Sequence, residues 1–254
     1  MIRLKSPEEV ELMRENALLV SRTLAEVGKH VIPGVTTLEL DRIAETFIRD
    51  HGAQPSFLGY EGFPNTLCIS VNDVIVHGFP SEYRLREGDV VSVDCGTYYK
   101  GYCGDSAYTF ACGEISEEDR RLLDVTKASL YEGIKQAVDG KRTGDIGYAV
   151  QSYAEKFGYS VVRELEGHGI GRKMHEAPGV PNYGKRGNGV KLKDGMVICI
   201  EPMVNAGSRQ VYLDRNGWSV HTYDGKKAAH FELTVVVRKE QADILSTFDY
   251  IEKP

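Results

Sequence analysis

Apolar residues recur at helical spacing near the start of the chain, where Val10, Met13, Ala17, Val20, Leu24 and Val27 fall on one stripe and predict an amphipathic helix. Ser6-Pro7-Glu8-Glu9 supplies its beginning: a capping box with proline at the first helical position. A second helix is predicted from Thr36-Thr37-Leu38-Glu39 through Leu40, Ile43, Ala44 and Phe47, stopping at Gly52. The period then shifts to that of strands. Leu67 to Val76, Asp89 to Cys95 and Asp105 to Ala111 read as sheet, the last two joined by a tyrosine- and glycine-rich turn.

The same pattern then restarts. One helix is predicted from Ser116-Glu117-Glu118-Asp119 to Gly140 and another from Thr143 to Gly158. Gly34, Thr37, Leu40 and Gly52 match Gly140, Thr143, Ile146 and Gly158 at a constant offset of 106 residues, and "LREGDVVSVD" (Leu85 to Asp94) aligns with "LKDGMVICIE" (Leu192 to Glu201) at 107. At other offsets, His77-Gly78-Phe79-Pro80 matches His175-Glu176-Ala177-Pro178, and Asp105-Ser106-Ala107-Tyr108 matches Glu232-Leu233-Thr234-Val235. A period this long excludes a solenoid. It predicts a single catalytic domain, residues 1–254, with an internal repeat of roughly 5–112 and 116–240, whose halves face each other across a pseudo-twofold axis with a site at the junction.

The 254-residue chain is 41% apolar, enough for a packed core. Its net charge of −6 argues against general nucleic-acid binding, and Lys185-Arg186 and Lys226-Lys227 read as solvated surface. The N-terminus has no apolar signal segment, and nothing approaches the roughly 18 apolar residues of a membrane span, so a cytoplasmic protein without membrane contact is expected. Five scattered cysteines (Cys68, Cys95, Cys103, Cys112, Cys199), with no C-x-x-C pair, support neither a disulfide framework nor a zinc finger. Four of them sit in apolar or strand-like runs and read as small buried hydrophobes.

Candidate chemistry lies in the acids. Asp94, Asp105, Glu201 and Glu232 all sit in apolar, strand-like surroundings with no lysine or arginine beside them, where an isolated carboxylate is costly to bury. Each could be a strand-end acid turned to solvent, but four at paired positions of a repeat point to a shared counter-charge. One divalent cation leaves a surplus of two negative charges; two cations neutralise the set. His168, between Gly167 and Gly169, is the best imidazole candidate, its glycines letting the backbone pass close to an ion. Oxygen-rich ligation with one imidazole suits Mn²⁺, Fe²⁺, Co²⁺ or Zn²⁺ and does not choose among them.

Taken in order, "HGFP", "VSVDCG", "GYCGDSAYTF", "GHGIGRKMHEAP", "ICIEPM" and "HFELT" closely resemble type I methionine aminopeptidases across nearly the whole chain. The resemblance implies an α+β pita-bread (creatinase/aminopeptidase) fold, two pseudo-symmetric halves of antiparallel sheet covered by helices. It implies a metalloaminopeptidase that removes the N-terminal methionine of nascent chains when the second residue is small, using two divalent ions. Asp94 would serve one ion, Asp105 and Glu232 would bridge, and His168 and Glu201 would serve the other. His77 would stand near the scissile amide nitrogen and His175 near the substrate carbonyl, with Glu201 a candidate base. Phe57, Tyr60, Phe63, Cys68 and Trp218 would form the methionine pocket, closed by Met174. Family members often carry a small residue at the position of Phe57 and an aromatic at that of Met174. A monomer with transient ribosome contact is expected.

Only 25 residues separate His175 from Glu201, too few for the helical insertion of type II enzymes. Prolidase and aminopeptidase P share the implied fold, but the catalytic unit here starts at residue 5, leaving no room for their extra N-terminal domain. A non-catalytic peptide-binding module of this fold and a dinuclear hydrolase of another amide stay open as alternatives.

Overall fold

Both N-terminal capping boxes form. In the computed structural model, which describes residues 2–253, helix α1 (Pro7–Gly28) begins where Ser6 Oγ accepts from Glu9 N–H and the Glu9 carboxylate accepts from Ser6 N–H at 3.1 Å. Helix α2 (Thr37–Asp50) repeats the device with Thr36 and Glu39. The apolar stripe of α1 is buried along its length. Its second half, Val20, Leu24 and Val27, packs with Leu40, Ala44 and Ile48 of α2 on Val91, Val93 and Cys95 of the sheet beneath, while Val10, Met13 and Ala17 pack in a separate cluster with Tyr102, Cys103 and Val197.

The stretch predicted as one strand from Leu67 to Val76 is two, β1 (Leu67–Val71) and β2 (Val74–Val76). Asn72 breaks it by entering the left-handed region at φ 57°, a conformation asparagine tolerates better than most residues. Its side chain is held there, donating to Asp89 at 2.8 Å and accepting from Val90 N–H at 3.0 Å. Strands β3 (Val90–Tyr99) and β4 (Tyr102–Ala111) run further than predicted and pair along their full lengths, because the tyrosines of the expected turn are themselves in the ladder, Tyr99 facing Tyr102. Only Lys100 (φ 48°) and Gly101 (φ 86°) turn the chain, the two-residue hairpin geometry that needs positive φ at both positions. β1 lies against the other edge of β3, with Cys68 opposite Asp94.

The second half has the same order of elements. Helix α3 (Glu117–Ile134) is capped by Ser116 and ends at Ile134 rather than Gly140. The residues after it leave the helix for tertiary backbone bonds: Asp139 N–H donates to Arg238 O at 2.9 Å and Gly140 N–H to Leu192 O at 3.0 Å. Helix α4 spans Thr143–Lys156. Then come β5 (Glu166–Gly169), β6 (Glu176–Pro181), β7 (Val197–Ile200), β8 (Met203–Asn205), β9 (Ala228–His230) and β10 (Leu233–Val236). An antiparallel sheet forms in the order β10-β7-β5-β6, with Asp243–Ile244 outside β10. Leu130, Ile134 and Ile146 pack on its Ile198, Ile200, Leu233 and Val235.

The two halves are sewn together along β4. Glu232 N–H donates to Ala107 O at 2.9 Å, Ser106 Oγ to Glu232 O at 2.7 Å, Thr234 Oγ1 to Asp105 O at 2.8 Å and Thr109 Oγ1 to His230 O at 2.6 Å. The side chains involved are buried, so each bond is made away from competing water. The five cysteines are buried and free, as expected. Among the described residues no helix is long and apolar enough to cross a membrane.

Candidate metal centre

The seam brings the four acids together. Asp94 sits within β3 opposite Ala107, and Asp105 on β4 opposite Gly96. His168 lies in β5, Glu201 directly follows β7, and Glu232 follows β9 at its bridge to Ala107. One donor atom each from Asp105, His168, Cys199 and Glu232 lies within 4.8 Å of the others. His168 Nε2 is 3.6 Å from Asp105 Oδ2 and 3.6 Å from Glu201 Oε1. That separation is too long for hydrogen bonds. It suits donors that each sit about 2.0–2.2 Å from a common ion.

The electrostatics agree with the distances. Asp94 Oδ1, Asp105 Oδ1 and Glu232 Oε1 are buried with no hydrogen-bond partner. Among the described residues no lysine or arginine pairs with any of the four acids; their nearest basic groups are His168 and His230. Burial, then the neighbouring charges of Asp105 and Glu201, push the Asp94 and Glu232 carboxyls far above the usual carboxylate range. Burial opposes charge on His168 too, yet the neighbouring Asp105 and Glu201 carboxylates push its imidazole up to about 9. The cluster therefore calls for cations. His168 is oriented to serve one: Nδ1 lies 3.0 Å from Gly169 O, so Nδ1–H donates there and Nε2 faces the acids, where a bound cation would take the place of its proton.

The glycines flanking His168 have a packing role. A Cβ on Gly167 would strike the Cys199 carbonyl and one on Gly169 the Ala177 carbonyl, so both let neighbouring strands approach closely. Cys199 was not expected at the cluster. Its thiol is 3.5 Å from Thr234 Oγ1, and burial holds it well above the ordinary thiol range, which makes it a neutral and poor ligand.

These acids form the floor of a cavity of about 240 Å³ lined also by His77, His175, His230, Phe57, Tyr60, Phe63, Cys68 and Trp218. Met174 does not line it, contrary to expectation: it is buried behind the wall, packed with Phe57 beside Gly96. Phe63 meets Trp218 edge to face at 5.2 Å between centroids. The His77 ring stands edge-on to Trp218 at 6.2 Å, on a backbone held at φ 57°, a strained geometry for a non-glycine residue. Burial lowers His77 to about 4, against the opposing charge of Glu201. His175 is also lowered, by burial and then by His168; its Nδ1 is 2.8 Å from the Tyr60 hydroxyl, and its ring packs at 4.4 Å on that of His168.

Sequence reasoning missed His230, although it falls inside the quoted "HFELT". A signal was present, since alternation along a strand puts residues two apart on one face, here His230 and Glu232. The imidazole is buried, and Nε2 lies 3.6 Å from Glu201 Oε2.

An imidazole–carboxylate cluster at the end of an aromatic-walled cavity is the equipment of a metal-dependent hydrolase. Residues 11–239 match the model of metallopeptidase family M24, and the chain belongs to that family. It is 51% identical to the methionine aminopeptidase of Clostridium acetobutylicum, with 97% of this chain and 99% of that protein covered. It is 49% identical to methionine aminopeptidase 1 of Bacillus subtilis over the same shares. Among solved structures, the methionine aminopeptidase of Rickettsia prowazekii superposes with a TM-score of 0.96 at 40% identity, covering 97% of this chain and all of that one. The fold is thus the α+β pita-bread architecture of the resemblance.

Proposed function

We propose that this chain is a single catalytic domain that removes the N-terminal methionine from peptides and nascent proteins whose second residue is small. The observation that carries the proposal is the adjacency of two things: a buried donor cluster without a counter-charge, and a slot walled by Phe57, Tyr60, Phe63, Cys68 and Trp218. Thioethers pack well on aromatic rings, and the relatives named above carry the same activity in their names.

Asp94, Asp105, His168, Glu201 and Glu232 would hold two divalent ions of the Mn, Fe, Co or Zn type. When bound, these supply a nucleophile at neutral pH and polarise the scissile carbonyl. The chain's own groups do the remaining work. Asp105 and Glu232, on the two sides of the seam, would be shared by the two ions. Glu201 accepts the proton of the attacking water. His175, oriented by Tyr60, donates toward the carbonyl oxygen as negative charge grows there. His77, kept neutral by burial, steadies the departing nitrogen. The aromatic walls hold the methionine side chain and exclude water. A cytoplasmic monomer acting on chains as they emerge from the ribosome completes this reading.

The test is release of free methionine from Met-Ala-Ser. Metal-stripped protein is inactive, and Mn²⁺, Fe²⁺ or Co²⁺ restores release, while Met-Leu-Ser and Ala-Pro peptides stay intact. Failure of all these ions to support release rejects the proposal; cleavage of the Ala-Pro peptides favours a prolidase-like activity.

A further inference from the structure

His230 has no assigned role, yet its position is constrained on every side. Thr109 brackets its backbone, Oγ1 donating to His230 O at 2.6 Å and accepting from His230 N–H at 2.9 Å. The side chain is 2% exposed, and Nε2 is buried with no hydrogen-bond partner. The group it faces is the Glu201 carboxylate, with Nε2 3.6 Å from Oε2, while the other oxygen, Oε1, lies 3.6 Å from His168 Nε2. The Glu201 carbonyl is fixed separately by Asn182 Nδ2 at 3.0 Å. One carboxylate thus stands between two imidazoles with its backbone pinned, and only rotation of its side chain is left free.

We infer that His230 is a positioning residue for the metal centre, its Nε2–H donating to Glu201 Oε2 so that Oε1 alone is presented beside His168. A buried donor without a partner is costly, and a small rotation of the Glu201 side chain relieves it. The same rotation would leave Oε1 as the oxygen of Glu201 free to meet an ion. Partners of this kind, which hold a ligand without touching the ion, typically change metal affinity by about 10–100-fold when removed. The inference rests on reading the cluster as a metal centre and is independent of which peptide is cleaved.

The test follows metal retention. Full-length protein is loaded with Co²⁺, and its visible absorption is monitored while a chelator withdraws the ions. His230→Leu releases Co²⁺ at about tenfold lower chelator activity than the parent, with an altered spectrum, and His230→Gln, which keeps a donor of similar reach, restores both. A Leu variant that retains Co²⁺ like the parent overturns the inference. So does a Gln variant as impaired as Leu, because the imidazole would then be a ligand itself. If His230→Leu does not fold, His230→Asn, whose amide is too short to reach Glu201, takes its place with the same expectations. A parent protein that retains Co²⁺ but releases no methionine counts against the proposed activity and leaves the His230 comparison intact.

Discussion

The two halves contribute to the centre in different ways. Asp94 and Asp105 come from the unbroken β3–β4 hairpin, whose register is fixed locally by pairing from Val90–Ala111 to Tyr99–Tyr102. The second half supplies its ligands where regular strands stop. His168 sits at a register shift in the β5–β6 pair, Glu201 lies one residue beyond β7, and Glu232 lies between β9 and β10. A hairpin holds its side chains without outside help, whereas Glu232 depends on the seam to β4, and Glu201 and His168 on contacts to Asn182 and Gly169. The first half is therefore the rigid template, and the second is adjusted to it.

The largest effect that sharpens this contrast comes from the template. Asp105→Asn removes a central donor and lowers methionine release on the order of 10³-fold or more, with loss of bound metal. It also relieves like-charge repulsion among buried carboxylates. Metal-stripped Asp105→Asn is accordingly at least as stable as stripped parent, measured by urea unfolding. A destabilised stripped variant contradicts the view that the acids repel one another unless cations are bound.

The same contrast explains what could be read from sequence. Capping boxes, the buried stripe of α1 and the acids of the hairpin are local signals, and they lie where the pattern put them. The strand break at Asn72 and the early end of α3 depend on partners far along the chain, Asp89 in one case and Arg238 and Leu192 in the other. Local periodicity carries no trace of them. His168 was legible as a member of the cluster, but the strands that crowd its flanking glycines come from elsewhere in the chain and left no local trace. His230 and Met174 show the limit at the site: one lines the cavity and the other stands behind its wall, a distinction set by tertiary packing alone.

A smaller effect comes from His77, at the join between β2 and Val220–Thr222. His77→Ala lowers kcat by about 10²-fold or more, as expected for loss of a proton-handling group, without loss of metal. Its stability signature has a definite sign. Burial holds the folded imidazole at about 4 against 6.5 for the ordinary group, so the unfolded chain binds more protons between those values and stability rises with pH across them. The full benefit is present above 6.5 and is lost as pH falls through about 4. The variant should show a shallower dependence than the parent in this window, both metal-stripped, and parallel curves contradict a neutral buried His77.

The seam itself is tested by Thr109→Val. The substitution keeps the shape but leaves His230 N–H and His230 O without their bonds to Oγ1, a cost of about 1–3 kcal/mol in denaturant unfolding. If β4 is the template, the Asp94–Asp105 side is unaffected and the damage falls on Glu201, the carboxylate that His230 faces, seen as a larger loss of the ion held with His168 than of the other. Equal weakening of both ions would show that the halves share their strain.

The smallest effect separates the cavity from its support. Met174 is buried at 3% exposure and packs with Phe57 without lining the cavity. Met174→Leu conserves volume closely enough that it costs less than about 1.5 kcal/mol. Because the side chain lies behind Phe57, KM for Met-Ala-Ser stays at the parental value, whereas Phe57→Ala, which opens the wall itself, raises it. A Met174→Leu change in KM as large as that of Phe57→Ala would mean that methionine reaches Met174 during turnover. The apolar wall would then yield on binding, in contrast to the rigid hairpin that carries Asp94 and Asp105 beside it.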